Sequence, residues 1–589
     1  MPPGDFGYIE GDQLGKPYDF GLLKRIFPYL WPWRNKWFIG LFLSIGLTLL
    51  DLVPPYLTKQ AIDLHILAGD WKGLRPLALL LLLILVINFG LQYTQAMVLE
   101  QLGQRVMHTL RLKLFSHMLS LPLSFFQHNP VGRLITRVTN DIENLNEMVK
   151  SLLATLFKDI FLAMGILGIL LYLDFRLALV TFTLIPVIFV CARLFSRKAR
   201  DAFRDLRRRV AQLNAFLQES LSGLALIQIL VREKKRFDDF REVNHQAYQA
   251  GMKQVQVFAL FMPLMEMISA MAIALLIWYG GGQVIQKTLS LGSLVAFLSY
   301  IQMFFRPLRE MTEKYSVMQS AMASLERIFS LMDEPGEEEP AAPWENMTHS
   351  WKGEIEFRNV AFAYTPENWV IKDLSFHIKP GEVAAIVGMT GGGKSTLINL
   401  LEGFFHPQKG EILIDGRDIR TLPKKCLRSI IGLVPQETIL FAGDLRENIL
   451  LPGEGASEAN WGEITETMHL GPLLNKMENQ QVGAISAGEQ QLVALARVMV
   501  RNPNILILDE ATSQVDAYTE NLVQEAIKKL LTGRTALIIA HRLFTLRQAR
   551  RILVIHEGRL VEDGTHEELM KKQGYYFRLY QLQFNKNGE

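Results

Sequence analysis

The stretch VAAIVGMTGGGKSTLINLLEGF (383–404) decides half of the fold. Its apolar opening reads as a buried strand, its glycines as a tight loop, and TLINLLEGF as a helix. The loop itself, Gly388-Met389-Thr390-Gly391-Gly392-Gly393-Lys394-Ser395, has phosphate-loop spacing between strand and helix. Glycines allow backbone N–H groups to wrap a polyphosphate, and the following helix turns its positive end toward it. Lys394 is expected to reach the β- and γ-phosphates, and Ser395 to ligate Mg²⁺. A second apolar strand, ILIL (505–508), runs into Asp509-Glu510. A carboxylate there can hold Mg²⁺ through water, and the next can orient or deprotonate an attacking water. The C-terminal half therefore reads as an α/β domain that binds and cleaves a nucleoside triphosphate.

Upstream the composition changes. The segment EPGEEEPAAPWEN (334–346) is acidic, rich in proline and without periodicity, so residues 331–350 are expected to be a linker and 351–589 the nucleotide-binding domain. Residues 1–330 are dominated by apolar runs. Crossing about 30 Å of hydrocarbon takes roughly 20 helical residues. Six segments are long and apolar enough, at about 37–58, 77–98, 152–173, 177–195, 256–280 and 288–305. The second contains LALLLLLILVINFGL, and the sixth is the least apolar. Between spans, runs such as VMHTLRLKLFSHML (106–119) keep helical spacing, so the spans are expected to continue far beyond the bilayer. NPVGRL (129–134) is expected to be one of the turns where they fold back. FGLLKRIFPYLWPWR (20–34) suits a helix lying in the membrane interface.

Basic residues orient the chain. Arg105, Arg111, Lys113, Arg133, Arg137 and Lys150 crowd one connection, and Arg193 to Arg209 follow the fourth span. Few lie on the other side, so both termini and the soluble domain are expected in the cytosol. A net charge of +3 spread over 589 residues gives no nucleic-acid signature. Cys191 and Cys426 have no metal-ligand spacing and fit a reducing compartment. The N-terminus shows no cleavable signal pattern. Lys158 and Asp159 are expected to pair or to lie near a membrane edge. Glu266, among apolar neighbours in PLMEMISAM (263–271), is the candidate for a substrate pathway.

With these motifs in this order, the whole chain resembles the ATP-binding cassette (ABC) family, and its layout resembles the exporter half-transporters. The resemblance implies an all-α six-helix transmembrane domain with long cytosolic extensions, followed by an α/β P-loop domain. It implies ATP and Mg²⁺ as cofactors, with Gly388, Thr390, Gly391, Gly392, Gly393, Lys394, Ser395 and Thr396 around the phosphates. Tyr364 in FAY matches the aromatic that stacks on adenine. Gln436 in LVPQET matches the glutamine that contacts Mg²⁺, alongside Ser395 and Asp509. Asp516 in SQVD falls in the D-loop, and His541 in IIAHRL is similar to the switch histidine beside the γ-phosphate. FFQHNPVGRLITRVTND (125–141) and ESLSGLALIQ (219–228) resemble the family's two intracellular loops.

One motif departs from the pattern. The family's Leu-Ser-Gly-Gly-Gln signature is here Ile485-Ser486-Ala487-Gly488-Glu489. In the family it closes on ATP held by a second cassette. Ala487 puts a methyl where backbone approaches phosphate, and Glu489 adds negative charge near an anion. Lys394, Asp509, Glu510 and His541 are all retained. This combination predicts a heterodimer whose non-identical partner carries an intact signature, with one working and one degenerate site. A homodimer that tolerates the drifted signature is the alternative. An ATP-gated channel or regulatory subunit and a substrate importer rank below both. The expected cargo is a hydrophobic or amphipathic drug, lipid or peptide, moved across a cytoplasmic (inner) membrane in which the chain is multi-pass.

Overall fold

A computed structural model describes residues 20–151, 157–183, 185–337, 350–389, 391–451, 458–471, 473–474, 485–509, 517–540 and 543–584. The chain folds as two compact units, one of residues 1–121 and 129–335, the other of residues 122–128 and 336–589.

The first unit is helical throughout. An 11-residue helix α1 (Phe20–Leu30) precedes α2 (Arg34–Gln60), which ends in a π-helical turn over Ala61–Ile66. α3 (Trp71–Leu119) runs 49 residues, about 73 Å at 1.5 Å per residue and more than twice the hydrocarbon thickness. Asp70 caps its start by accepting from the Gly73 N–H. The chain then leaves this unit over residues 122–128, which hold α4 (Leu123–His128) of the second unit, and resumes with α5 (Val131–Thr136) and α6 (Ile142–Ser151). The break after α3 thus begins at Ser120, earlier than NPVGRL. Pro130 instead N-caps α5, where its missing N–H has no helical bond to lose. α7 (Phe157–Leu173), α8 (Phe175–Phe182) and α9 (Ile185–Ser222) follow, the last passing through Gly223 into α10 (Leu224–Ile229). α11 (Glu233–Ile285) and α12 (Leu291–Asp333) complete the unit, and α12 enters the expected linker by three residues.

The described residues of the first five expected spans fall on these helices, α8 and α9 sharing the fourth, and the sixth starts three residues before α12. Among the described residues, four helical stretches are long and apolar enough to cross a membrane, and Leu291–Phe305 is a shorter apolar stretch. The first described residue of α7 is Phe157, so the onset of the third span lies outside the described residues. A core of Leu162, Ile166, Leu170, Met265, Ile268, Phe297 and Tyr300 joins α7, α11 and α12, while Leu83, Val86, Phe89 and Trp278 are exposed. Apolar surface turned outward on long helices is what lipid rather than water tolerates. Lys158 pairs with Asp51 on α2 at 2.9 Å, and Asp51 also accepts from Asn88 on α3 at 2.7 Å. The partner of Lys158 is thus on another span.

The second unit holds two sheets. The four-stranded one is built from β1 (Ile355–Thr365), β2 (Asn368–Ile378), β4 (Lys409–Ile414) and β5 (Arg417–Asp418), in the order β2-β1-β4-β5 and all antiparallel. The six-stranded one uses β3 (Val383–Val387), β6 (Ile431–Val434), β7 (Ile505–Asp509), β8 (Thr535–Ile539), β9 (Arg551–His556) and β10 (Arg559–Gly564). Its order is β10-β9-β3-β8-β7-β6. Its pairings are parallel except β9 with β10. Ala384, Ile386, Leu506 and Leu508 are fully or nearly fully buried, because both faces of this sheet are covered.

Candidate functional site

The site is built by strand register. β3 and β8 align Ile386 with Ile539, β8 and β7 align Ile539 with Asp509, and β7 and β6 align Leu508 with Val434. Parallel pairing therefore brings four carboxyl ends to one edge: Val387 entering the glycine loop, Asp509, Ala540 and Val434. Ligands of open α/β sheets bind at this edge. Gln436 follows Val434 by two residues and is exposed there. Glu510, Asp516 and His541 follow these strands in sequence but lie outside the described residues, as does Thr390.

The glycine loop is shaped as its chemistry requires. Gly391 and Gly393 have φ of +82° and +99°, a left-handed backbone that side chains disfavour. A Cβ on Gly388 would stand 2.3 Å from the Ile555 carbonyl oxygen, so only glycine lets loop and strand approach there. Lys394 opens the helix Lys394–Leu401 and is 7% exposed. Its Nζ donates to the Gly388 and Met389 carbonyls at 2.7 and 3.0 Å, so the ammonium is held against the loop that would wrap a phosphate. Ser395 is exposed beside it and Thr396 is buried. Tyr364 presents a partly exposed ring edge-on to Phe405. Its hydroxyl donates to Thr396 Oγ1 at 3.2 Å, which ties that ring to the loop helix. Ser395, Asp509 and Gln436 bring side-chain oxygens to this edge, the hard ligand type that Mg²⁺ selects.

The altered signature opens the helix Ala487–Arg501 with Ser486 as N-cap. Glu489 bends back on it in a capping box: its Oε2 accepts from the Ser486 N–H at 2.7 Å, and Ser486 Oγ accepts from the Glu489 N–H. The carboxylate therefore sits at the positive end of the helix, where an anion would otherwise be drawn. Ser486 and Ala487 are exposed, Gly488 buried. The signal for this contact is the Ser-x-x-Glu spacing of a capping box, which the glutamate's charge alone does not reveal.

Arg497, on the same helix, is a residue that sequence reasoning misses. Its guanidinium donates to the Asn448 carbonyl and the Ile439 carbonyl at 2.7 Å each, and to Asn448 Oδ1. Asn448 is buried. Arg497 thus fastens the segment after Gln436 to the signature helix, and burial lowers its pKa. A lone arginine in a helix carries no spacing signal, because its partners lie 49 and 58 positions away. Glu402, just past the loop helix, is half-buried near Arg428 and Arg501, and burial pushes its pKa up to about 7.

Comparison with known proteins agrees with this geometry. The model of the ABC transporter transmembrane region matches residues 37–308, and that of the ABC transporter domain matches residues 371–513. The chain is 33% identical over 575 residues to an uncharacterized ABC transporter ATP-binding protein, YfiC, of Bacillus subtilis, covering 96% of this chain and 95% of that one. It is 34% identical to an ATP-dependent lipid A-core flippase of Syntrophus aciditrophicus, covering 98% and 96%. A fatty acid ABC transporter ATP-binding/permease protein of Mycobacterium tuberculosis is 38% identical over 516 residues, covering 86% and 80%.

Proposed function

The chain belongs to the ABC transporter family as an exporter-type half-transporter, and from that premise we propose that it is the hydrolysing half of an asymmetric heterodimer. Family membership carries ATP binding, ATP hydrolysis coupled to transport, a multi-pass membrane location and dimerisation. The finer reading rests on one observation: Glu489 carries its own carboxylate to the N-terminus of the signature helix. An ATP γ-phosphate brought there by another cassette meets negative charge, and the Ser486 N–H already has an acceptor.

In this reading the working site pairs this chain's glycine loop with the intact signature of a non-identical partner. Lys394 and the loop N–H groups hold the β- and γ-phosphates, and Tyr364 stacks on adenine. Glu510 orients or deprotonates the attacking water, and His541 stabilises charge on the transferring phosphoryl group. Ser395, Asp509 and Gln436 would hold Mg²⁺, which would neutralise phosphate charge when bound. The second site, made from this chain's signature, holds ATP with slow turnover. ATP closure turns an inward-facing cavity outward and hydrolysis resets it, with both termini in the cytosol and the helical half in a cytoplasmic membrane. Residues 1–330 form the pathway, 331–350 the linker and 351–589 the motor. Glu266 lines the pathway, and the cargo is a hydrophobic or amphipathic molecule.

The test is ATPase activity of the chain purified alone and with the chain that co-purifies from its native membrane. Activity that needs a second, non-identical chain and disappears in Glu510→Gln is expected. Full activity from this chain alone would favour a homodimer in which the altered signature still works.

A further inference from the structure

The apolar stretch of α11 presents one broad exposed side made of two adjoining stripes. Leu260, Met267, Met271 and Trp278 form one, bulky and apolar as lipid requires. Ala259, Pro263, Glu266 and Ala270, at helical spacing, form the other and are exposed as well. Among the described residues, no ion pair or hydrogen bond engages the Glu266 carboxylate. An uncompensated carboxylate is costly against hydrocarbon, which favours water or a polar surface beside this stripe. The Asp51–Lys158 pair shows the contrast: those spanning charges neutralise each other at 2.9 Å. Arg193 opens the basic run of neighbouring α9 and makes no ion pair with Glu266.

A second feature points the same way. Pro263 lies inside α11 and has no N–H, so the Ala259 carbonyl loses its helical donor. That carbonyl belongs to the Glu266 face, two turns before the carboxylate. Exposed Met262, one turn before Glu266, adds a polarizable thioether. The face thus offers two oxygen acceptors and a soft sulfur.

We propose that Glu266 and the Ala259 carbonyl bind the positive end of the cargo, and that the exported class is the monovalent lipophilic cations. This rests on the reading of Glu266 as part of the pathway of an ATP-driven exporter.

The complex of this chain with its co-purifying partner, reconstituted in lipid vesicles, is challenged with tetraphenylphosphonium and tetraphenylborate, matched in size and opposite in charge. ATP-driven accumulation and the concentration giving half-maximal ATPase stimulation are read for each. The phosphonium is expected to stimulate and accumulate, and the borate to do neither. Glu266→Gln is expected to raise the half-maximal phosphonium concentration about tenfold, as for loss of one charge-assisted contact, while Glu266→Asp keeps most of the response. Equal handling of the two ions, preference for the borate, or a wild-type response from Glu266→Gln overturns the proposal. If neither ion moves but a neutral fluorescent lipid is translocated with ATP, the cation assignment falls and the exporter reading stands. If no probe of any charge moves with ATP, the exporter reading falls first.

Discussion

Single side chains set what the nucleotide edge can do. Glu510→Gln is expected to abolish ATP turnover while leaving ATP binding intact, checked by phosphate release and nucleotide-binding assays on the complex. Glu489→Gln makes the opposite test. Glutamine also closes a capping box, so the helix start is kept while its negative charge is removed. ATP at the composite site formed by this signature is expected to bind about fivefold tighter, the scale of one charge at a helix terminus. Titration with a fluorescent nucleotide measures it, and unchanged affinity would mean the charge is not what weakens the site. Glu402 gives a pH signature. Its carboxyl is raised from 4.5 to about 7 by burial, so the folded domain binds this proton more tightly than the unfolded chain. Stability is then lost as pH rises through that window and the cost is complete above it. Glu402→Gln is expected to stabilise the nucleotide domain by on the order of 2 kcal/mol at pH 8. The gain should shrink toward pH 5, and thermal melts across that range would show it.

Elements are held together by polar contacts that no local pattern announces. α12 is tied to the turn before α6 by Asp141, which is buried, accepts from Arg327 Nε at 2.9 Å and also accepts from buried Ser324. Losing the carboxylate leaves a guanidinium and a hydroxyl without that acceptor. Asp141→Ala should therefore cost about 3 kcal/mol, read as a lower melting temperature of the detergent-solubilised chain. Arg497 makes a comparable brace in the nucleotide domain, between the signature helix and the segment after Gln436. Arg497→Ala is expected to destabilise by about 2–4 kcal/mol and to slow turnover without removing any phosphate ligand. The spans themselves are legible in the sequence because hydrocarbon demands long apolar helices, and the glycine loop because its backbone needs left-handed residues at fixed positions. Asp141–Arg327 and Arg497–Asn448 are not legible, since a polar pair separated by dozens of residues leaves no periodic trace.

For the molecule as a whole, the sequence by itself determined a membrane half, a nucleotide half, the order of the motifs and the drift of the signature. Each follows from local physics: hydrophobic length, strand–loop–helix spacing, and the identity of residues at a helix start. Tertiary structure decided what meets within each half. Parallel register among β3, β8, β7 and β6 is what carries the glycine loop, Asp509 and the approach to Gln436 to one edge, and register is a long-range choice. The same holds in the helical half, where Lys158 finds Asp51 rather than its neighbour and Glu266 is left on an exposed face. A sequence shows which charges fall within apolar helices, but only packing decides which are neutralised and which stay exposed.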